Sequence, residues 1–458
     1  MEYIRFYDTN SQGTASVGQE NFRFRINDIH SLWLLQKGYL LFEFTVKSVD
    51  AGGADVADEP VAVEYLGKHI RRAILNLGTT QIEGKEQYVY RDAEVETMTW
   101  SKQYAETVGS LAFYHPDDLL TSSAGHKINK TRAVYSSKTA IALADLTLEP
   151  DPFFVPGTHE NMVYAHTNTG GTSYGMLPLV HVFNFVKAYD RIIRGIDIEI
   201  MIDLAPLAVR CILGGKKTDG SATTGASVKY THVGAGVSLY LPRMLPPASI
   251  MADLNMKYAR GLKATVPWEK SQVYQHALPV GAASVGSWYP ASNVAKPLYG
   301  YFFIRNQSTE TNFKQRLHRR AQMITQIQVM VNGRAVPTEQ LKMESANNGT
   351  DILQRNFTQY ARQFYDLVHS DGQSAFQRGH PVGHLTALNL MDNSMIAIDF
   401  RQMGDDLIAK TSDIQVNYTI DNGAANIAAA SYLYAVIYSH AVTELELSEQ
   451  RSIAYIGN

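Results

Sequence analysis

The sequence predicts a mainly β protein made of two tandem antiparallel β-sandwiches, each with a short inserted helix. Three observations lead to this fold class. A strand–turn–helix unit occurs twice, several segments show the two-residue period of strands, and the chain is long enough for two domains. At 458 residues it suits two domains of about 200 residues each better than one hydrophobic core.

The repeated unit is clearest in its second copy. Ile327, Val329 and Val331 lie two residues apart, which is the period of a half-buried strand. Asn332-Gly333 then predicts a tight turn, because both residues tolerate positive φ. After a polar loop, apolar and aromatic residues at helical spacing predict an amphipathic helix near residues 351–369.

The first copy has the same order of elements. A strand and turn occupy residues 73–84, and a helix is predicted from about Tyr90 to Phe113, before His115-Pro116. Overlaying Gly78 on Gly333 gives an offset of 255 residues. We therefore expect the two halves to superpose, with their helices in equivalent places.

Other strand signals support a sheet-rich fold in both halves. In the first half, Ile198, Ile200 and Ile202 predict one buried face of a strand. Residues 394–420 resemble this closing part, and residues 431–447 predict a final strand. A short helix is also predicted near residues 251–261.

Composition sets the domain boundaries. Residues 214–227 are rich in Gly, Lys and Ser without an apolar period, which is typical of a linker. The predicted division is an N-terminal arm (1–28), a first sandwich (29–213), a linker or exposed loop (214–232) and a second sandwich with a C-terminal tail (233–458). The arm is either a loose terminus or a segment that docks on a neighbouring subunit.

Bulk properties exclude several classes of protein. With 45% hydrophobic and 19% charged residues the chain is expected to fold, and its net charge of −3 argues against a general nucleic-acid binder. Cys211 is the single cysteine, so an internal disulfide and a paired-cysteine zinc site are impossible. The N-terminus lacks a secretory pattern, and no segment approaches 18 uncharged apolar residues.

Candidate catalytic or metal-binding residues are few. His115 with Asp117 and Asp118, and His159 with His166, could bind a metal, but a helix-ending turn and solvated histidines explain them more simply. Cys211 lies among apolar residues and is interpreted as a core residue rather than a nucleophile. We therefore predict no catalytic residue, metal site or cofactor.

Pairs of acidic residues leave a glycosidase open in principle. Glu94 with Glu96, and Asp405 with Asp406, are such pairs, although solvated helix or loop faces are the simpler interpretation. The glycines at 234 and 236 form no phosphate-binding motif and instead indicate a strand start or a bulge.

The most concentrated charge is KQRLHRR, which contains Lys314, Arg316, Arg319 and Arg320. The simplest interpretation is a solvated loop. Two functional alternatives are a contact with an acidic neighbouring subunit and a surface that meets phosphates. Because the whole chain is slightly acidic, an assembly contact is the preferred functional hypothesis.

Seven sequence segments between residues 29 and 453, taken in order along the chain, resemble the double jelly-roll major capsid proteins of double-stranded DNA viruses. The similarity is to the Polinton and adintovirus-like branch, with adenovirus hexon and large-DNA-virus capsid proteins more distant. In the first half it depends on IHSLWLLQKGYLLFEFTV, YVYRDAEVETMTWSKQYAETVGSLAFYHPDD and LPLVHVFNFVKAYDRIIRGIDIEIMI. In the second half it depends on YGYFFIRNQ, ITQIQVMVNGRAVP, FTQYARQFYDL and SYLYAVIYSHAVTELELSEQRSI.

This resemblance implies two jelly rolls per chain and a homotrimer, a hexon-like pseudo-hexamer that tiles an icosahedral virion shell. The implied partners are other copies of the chain, a vertex (penton) protein, minor capsid proteins and an enclosed double-stranded DNA genome bound without sequence specificity. An internal membrane is a further partner that the resemblance allows. Assembly is expected in the host cytoplasm or nucleus. Since the chain is short for the family, its outward loops should be small.

Two other classes of function stay open at this point. One is a two-sandwich protein that binds carbohydrate or acts on glycosides, which would need a cleft with exposed tryptophans and paired acids. The other is a trimeric spike, or a domesticated capsid relative that encloses no genome.

Overall fold

Two antiparallel sandwiches follow one another along the chain in a computed structural model. The structure describes residues 1–10, 13–16, 18–28, 30–56, 60–101, 104–114, 133–135, 172–213, 224–311, 324–342, 367, 395–403, 411–420, 426–427, 429–447 and 453–457. The predictions for the second helix (351–369), apart from Leu367, lie outside these residues.

Strands dominate the described part of the chain. Those of the first half are β1 (Glu2–Phe6), β2 (Asn21–Ile26), β3 (Leu32–Trp33), β4 (Tyr39–Val49), β5 (Pro60–Val63), β6 (Ile70–Leu77), β7 (Thr80–Lys85), β8 (Ala133–Tyr135), β9 (Thr172–Pro178), β10 (Ile198–Leu204), β11 (Cys211–Leu213) and β12 (Ser227–Met244). Those of the second half are β13 (Leu262–Leu278), β14 (Val285–Ala295), β15 (Pro297–Asn306), β16 (Ile324–Val331), β17 (Arg334–Lys342), β18 (Ile396–Asp399), β19 (Thr411–Ile420), β20 (Ser431–Leu447) and β21 (Ile453–Gly457).

Helices are short and sit between strands. Within the described residues the α-helices are α1 (Val89–Thr99), α2 (Asn184–Ala188), α3 (Leu207–Arg210) and α4 (Ala248–Ala259), and a one-turn π-helix follows α1 at Ala105–Gly109. The predicted helix from Tyr90 to Phe113 is thus shorter, because the chain turns extended at Trp100. The helix predicted near 251–261 is present as α4, three residues earlier at its start.

The strand order is the same in both sandwiches. The first pairs β1-β12-β4-β9 in one sheet and β2-β10-β6-β7 in the other, and the second pairs β13-β20-β15-β18 and β14-β19-β16-β17. When the eight main strands of each sandwich are numbered 1 to 8 in chain order, one sheet has the order 1-8-3-6 and the other has the order 2-7-4-5 in both sandwiches. This is the order of a jelly roll, so the predicted fold class of two tandem antiparallel jelly rolls is confirmed. A small third sheet, β11-β5-β8, flanks the first sandwich.

Both cores follow from the alternation seen in the sequence. Ile198, Ile200 and Ile202 point inward from β10, and Val329 and Val416 do so from β16 and β19. The hairpins also correspond: the Gly78 N–H donates to the Asp197 carbonyl at 2.8 Å, and the Asn332 N–H donates to Asp413 at 2.9 Å. Gly78 therefore matches Asn332, so the offset is 254 residues and not 255.

The predicted domain boundaries need correction. The arm (1–28) contains β1 and β2, which pair inside the first sandwich, and the proposed start of the second sandwich at residue 233 falls within β12. β12 pairs with β4 and with β1, so it belongs to the first sandwich. Gly234 and Gly236, at φ of 57° and 67°, lie in a bulge of this strand. They interrupt the apolar pattern in the middle of the strand, so in the sequence the residues after them look like the start of a new strand.

Candidate functional site

Several sequence-predicted residues lie outside the described part of the chain. They are Lys314, Arg316, Arg319 and Arg320 of the basic segment, His115, Asp117, Asp118, His159 and His166 of the metal hypotheses, and Asp405 and Asp406 of the second acidic pair. Among the residues that are described, no group of three His, Cys, Asp or Glu side chains could hold a metal ion. No described helix is long and apolar enough to cross a membrane.

Cys211 is a core residue, as interpreted from its neighbours. Its side chain is fully buried, and burial raises the pKa of the thiol to about 12. A thiol with that pKa stays protonated at neutral pH, whereas a nucleophile needs the thiolate.

The tryptophans form no carbohydrate-binding platform. Trp33, Trp100 and Trp268 are buried, and Trp288 is half-buried with its ring stacked on His276 at 5.4 Å. The carbohydrate hypothesis requires a cleft with exposed tryptophans, so this arrangement argues against it.

The most elaborate constellation of charges lies instead between the two sandwiches, around helix α1. The helix follows the hairpin β6–β7 of the first sandwich and begins after Tyr88, which has a φ of 57°. Ala93 packs into the core of the first sandwich, whereas Val95 and Met98 pack into the core of the second. Because both cores cover it, α1 must also bury its charged residues. We call this region the junction.

Glu94 is the centre of the first charge cluster in the junction. Arg305 of β15 donates to it through Nε at 2.8 Å and also through Nη2, and Arg91 Nη1 donates to Oε2 at 3.0 Å. All three side chains are at most 1% exposed. Burial alone would raise the pKa of Glu94, but the guanidinium groups of Arg305 and Arg91 hold it below its usual value.

The cluster extends to the edge of the second sandwich. Arg91 Nη2 lies 3.3 Å from Glu310 Oε1, which also accepts a hydrogen bond from the Tyr434 hydroxyl at 2.6 Å. The Arg91 guanidinium packs over the Tyr434 ring at 4.5 Å. Each charge is therefore matched by an opposite charge or by an aromatic face.

Asp92 is the centre of the second cluster. Lys85 Nζ of β7 lies 2.6 Å from Oδ2, the Ser271 hydroxyl donates to Oδ2 at 2.7 Å, and the Tyr438 hydroxyl donates to Oδ1 at 2.6 Å. Burial would raise the pKa of Asp92, but Lys85 and these hydrogen bonds lower it. One carboxylate thus joins a strand of the first sandwich to β13 and β20 of the second.

The acidic pair Glu94 and Glu96 is not a catalytic pair. Glu94 is bound by two arginines, and Glu96 accepts a hydrogen bond from His181 Nδ1 at 2.7 Å. The interpretation of this pair as a solvated helix face is also wrong, because both side chains are largely buried. With its charge matched by Arg91 of its own helix and by Arg305 of β15, Glu94 holds the two sandwiches in one orientation.

Sequence reasoning missed the junction because its partners are far apart along the chain. Glu94 and Arg305 are 211 residues apart, and no local pattern relates them. The available signals were an arginine inside the apolar strand YFFIRN and a helix with charges among apolar residues on every side.

Comparisons with known proteins address the fold. No model of a known protein family matches the sequence, and no curated protein matches it. Among solved structures, the mavirus major capsid protein matches at a TM-score of 0.55 and 11% identity, over 99% of this chain and 90% of that one. A chain of the Sputnik virophage matches at a TM-score of 0.58 and 13% identity, over 100% of this chain and 88% of that one. The Faustovirus major capsid protein matches at a TM-score of 0.54 and 10% identity, over 96% of this chain and 90% of that one. The chain therefore has the double jelly-roll fold of these viral capsid proteins.

Proposed function

We propose that the chain is a structural major capsid protein whose trimers form pseudo-hexamers and tile an icosahedral virion shell. The observation that carries this proposal is the pair of jelly rolls with one strand order, joined in one chain by the buried junction. The fold shared with the capsid proteins of mavirus and Faustovirus, over nearly the whole chain, supports the same role.

The duplication explains how a trimer can serve as a six-sided tile. Two similar jelly rolls in each chain give a threefold object six similar sides, so neighbouring tiles meet through repeated heterologous contacts. A tile must keep its shape, and the junction fixes the angle between the two jelly rolls through buried ion pairs.

The proposed role is structural rather than catalytic. Its partners would be other copies of the chain, a vertex protein, minor capsid proteins, the enclosed double-stranded DNA and, in some particles, an internal membrane. The site of action would be the virion, assembled in the host cytoplasm or nucleus. The alternative carbohydrate-binding function is not favoured, given the placement of the tryptophans.

Light scattering coupled to size-exclusion chromatography, followed by negative-stain imaging, tests the proposal. The expected result is a particle of about three times 50.9 kDa with a hexagonal outline. A stable monomer at micromolar concentration would contradict it.

The basic segment is proposed as a contact between capsomers. The double variant Arg319→Glu with Arg320→Glu should leave the trimer intact and impair the formation of shells. The new carboxylates would then face the acidic surface of the neighbouring capsomer. A control with the same charge change is Lys257→Glu on helix α4 with Arg260→Glu directly after the helix, both at exposed positions. Normal shells from the first variant would rule the contact out, and intact shells with less nucleic acid would indicate a genome-facing segment.

A further inference from the structure

The second sandwich carries a tyrosine-rich face on the sheet β13-β20-β15-β18. Tyr434, Tyr438 and Arg305 contact helix α1, so the side of the sheet that holds them faces the first sandwich. Successive strand residues point to opposite sides, and the alternate residues Phe302 and Ile304 therefore point into the core of the second sandwich. On the covered side, Tyr299, Tyr301 and Tyr434 are at most 5% exposed.

The equivalent sheet of the first sandwich has a corresponding face. Tyr39 of β4 lies opposite Tyr240 of β12, and their rings stack with centroids 4.9 Å apart at 6°. In the second sandwich Tyr299 of β15 lies opposite Tyr438 of β20, stacked at 4.7 Å and 20°. Both pairs join the third and eighth strands of their jelly roll. The same side of the same sheet thus carries the same tyrosine pair.

The two faces differ in what covers them. On the first sandwich this side consists mainly of Tyr3, Tyr39, Leu41, Tyr174, Met176 and Tyr240, here called the open tyrosine face. Tyr3 is 43% and Tyr174 is 48% exposed. Its charges are internally matched, because Arg5 pairs with Glu43 and packs over the Tyr240 ring at 5.6 Å. A neutral surface rich in tyrosine is typical of protein contacts.

We propose that the open tyrosine face packs against the second sandwich of another copy of this chain. Within the chain, the tyrosine-rich face of the second sandwich packs against helix α1 of the first sandwich. The proposed contact between chains would be the equivalent one, made by the open tyrosine face of the first sandwich. This inference rests on the proposed trimer, because three such contacts close a ring of six sandwiches in which every tyrosine face is covered.

The chemistry favours a copy of the chain over an unrelated partner. Within the chain, the equivalent face already binds a sandwich of this same fold. That contact is heterologous, since the sheet of one sandwich meets a helix of the other, and a repeated heterologous contact produces a ring when its rotation closes.

A pair of matched variants tests the assignment. Tyr3→Asp with Tyr174→Asp places two carboxylates on the open tyrosine face, and Tyr289→Asp with Val285→Asp places two on exposed positions of β14, at 68% and 59% exposure. Light scattering should show that the first variant loses the trimer at a concentration where wild type and the control keep it. Circular dichroism spectra should stay unchanged in both.

The possible outcomes separate this inference from the proposed function. A wild type that forms no trimer would overturn the proposed function itself. A trimeric wild type whose Tyr3/Tyr174 variant stays trimeric, or whose two variants dissociate equally, would overturn only the assigned face.

Hydroxyl-radical footprinting of the unmodified protein provides a second test if the variant fails to fold. In the single chain Tyr3 and Tyr174 are 43% and 48% exposed and Tyr289 is 68% exposed. In the wild-type trimer Tyr3 and Tyr174 should be almost unlabelled while Tyr289 is labelled strongly. Labelling of the three tyrosines in proportion to these exposures would contradict the proposal.

Discussion

The two sandwiches have one strand order and one tyrosine pair in common, yet they bury different surfaces. The second sandwich has its tyrosine-rich face against α1, where Arg305 is fully buried. In the first sandwich the same side is open, and its Arg5 side chain is 30% exposed. The comparison teaches that a duplicated domain can use one face twice, once inside the chain and once, as proposed above, between chains.

The sandwiches also differ in their buried titratable groups. The first contains His69 and His232, both buried, and burial lowers their pKa values to about 3 and about 4. In the described part of the second sandwich no histidine is buried to that degree. Acid should therefore weaken the first sandwich more than the second.

The largest expected effect comes from removing the centre of the junction. Glu94→Ala leaves Arg305 and Arg91 buried without their carboxylate, which should lower the free energy of unfolding by about 3–5 kcal/mol. Asp253→Ala is the control, because its ion pair with Lys257 is exposed and worth about 0.3–0.5 kcal/mol.

Urea unfolding at one protein concentration measures both variants, since the stability of an oligomer depends on concentration. An equally small loss in the two variants would show that the junction does not hold the sandwiches together.

The tyrosine pairs allow a direct comparison of the two faces. Tyr438→Phe removes a buried hydrogen bond to the Asp92 carboxylate and should cost about 1.5–3 kcal/mol. Tyr240→Phe, at the equivalent position, removes a hydroxyl from a half-buried ring and should cost less than about 0.5 kcal/mol. Thermal unfolding of the two variants checks this, and similar losses would contradict the difference in burial.

The buried histidines also predict a pH dependence of the stability of the first sandwich. His232 stays neutral in the fold down to about pH 4, whereas the unfolded chain binds the proton below its ordinary pKa of 6.5. Its contribution is therefore complete above pH 6.5 and declines by about 1.4 kcal/mol per pH unit as the pH falls towards 4.

His232→Gln should reduce that slope, because glutamine does not titrate and can still donate to the Gln19 carbonyl. His30→Gln, at an exposed position, is the control that should leave the slope unchanged. Urea unfolding at several pH values measures both, and an unaltered slope in the first variant would assign the pH dependence to other groups.

The sequence predicts the strands well for a physical reason. Sandwich strands are half-buried, so Ile198, Ile200 and Ile202, or Ile327 and Val329, reveal their inner face by alternation alone. The junction could not be predicted in this way. A charged residue such as Glu94 looks solvated in sequence, and only the fold brings Arg305 to it from a distant strand.

A cryo-electron microscopy map of the purified oligomer, at a resolution that shows side chains, tests the central claim most directly. We expect three chains in a ring of six jelly rolls, with Tyr3 and Tyr174 of each chain in contact with the second sandwich of its neighbour. A map in which these tyrosines face solvent, or in which the chains meet about a twofold axis, would contradict the account.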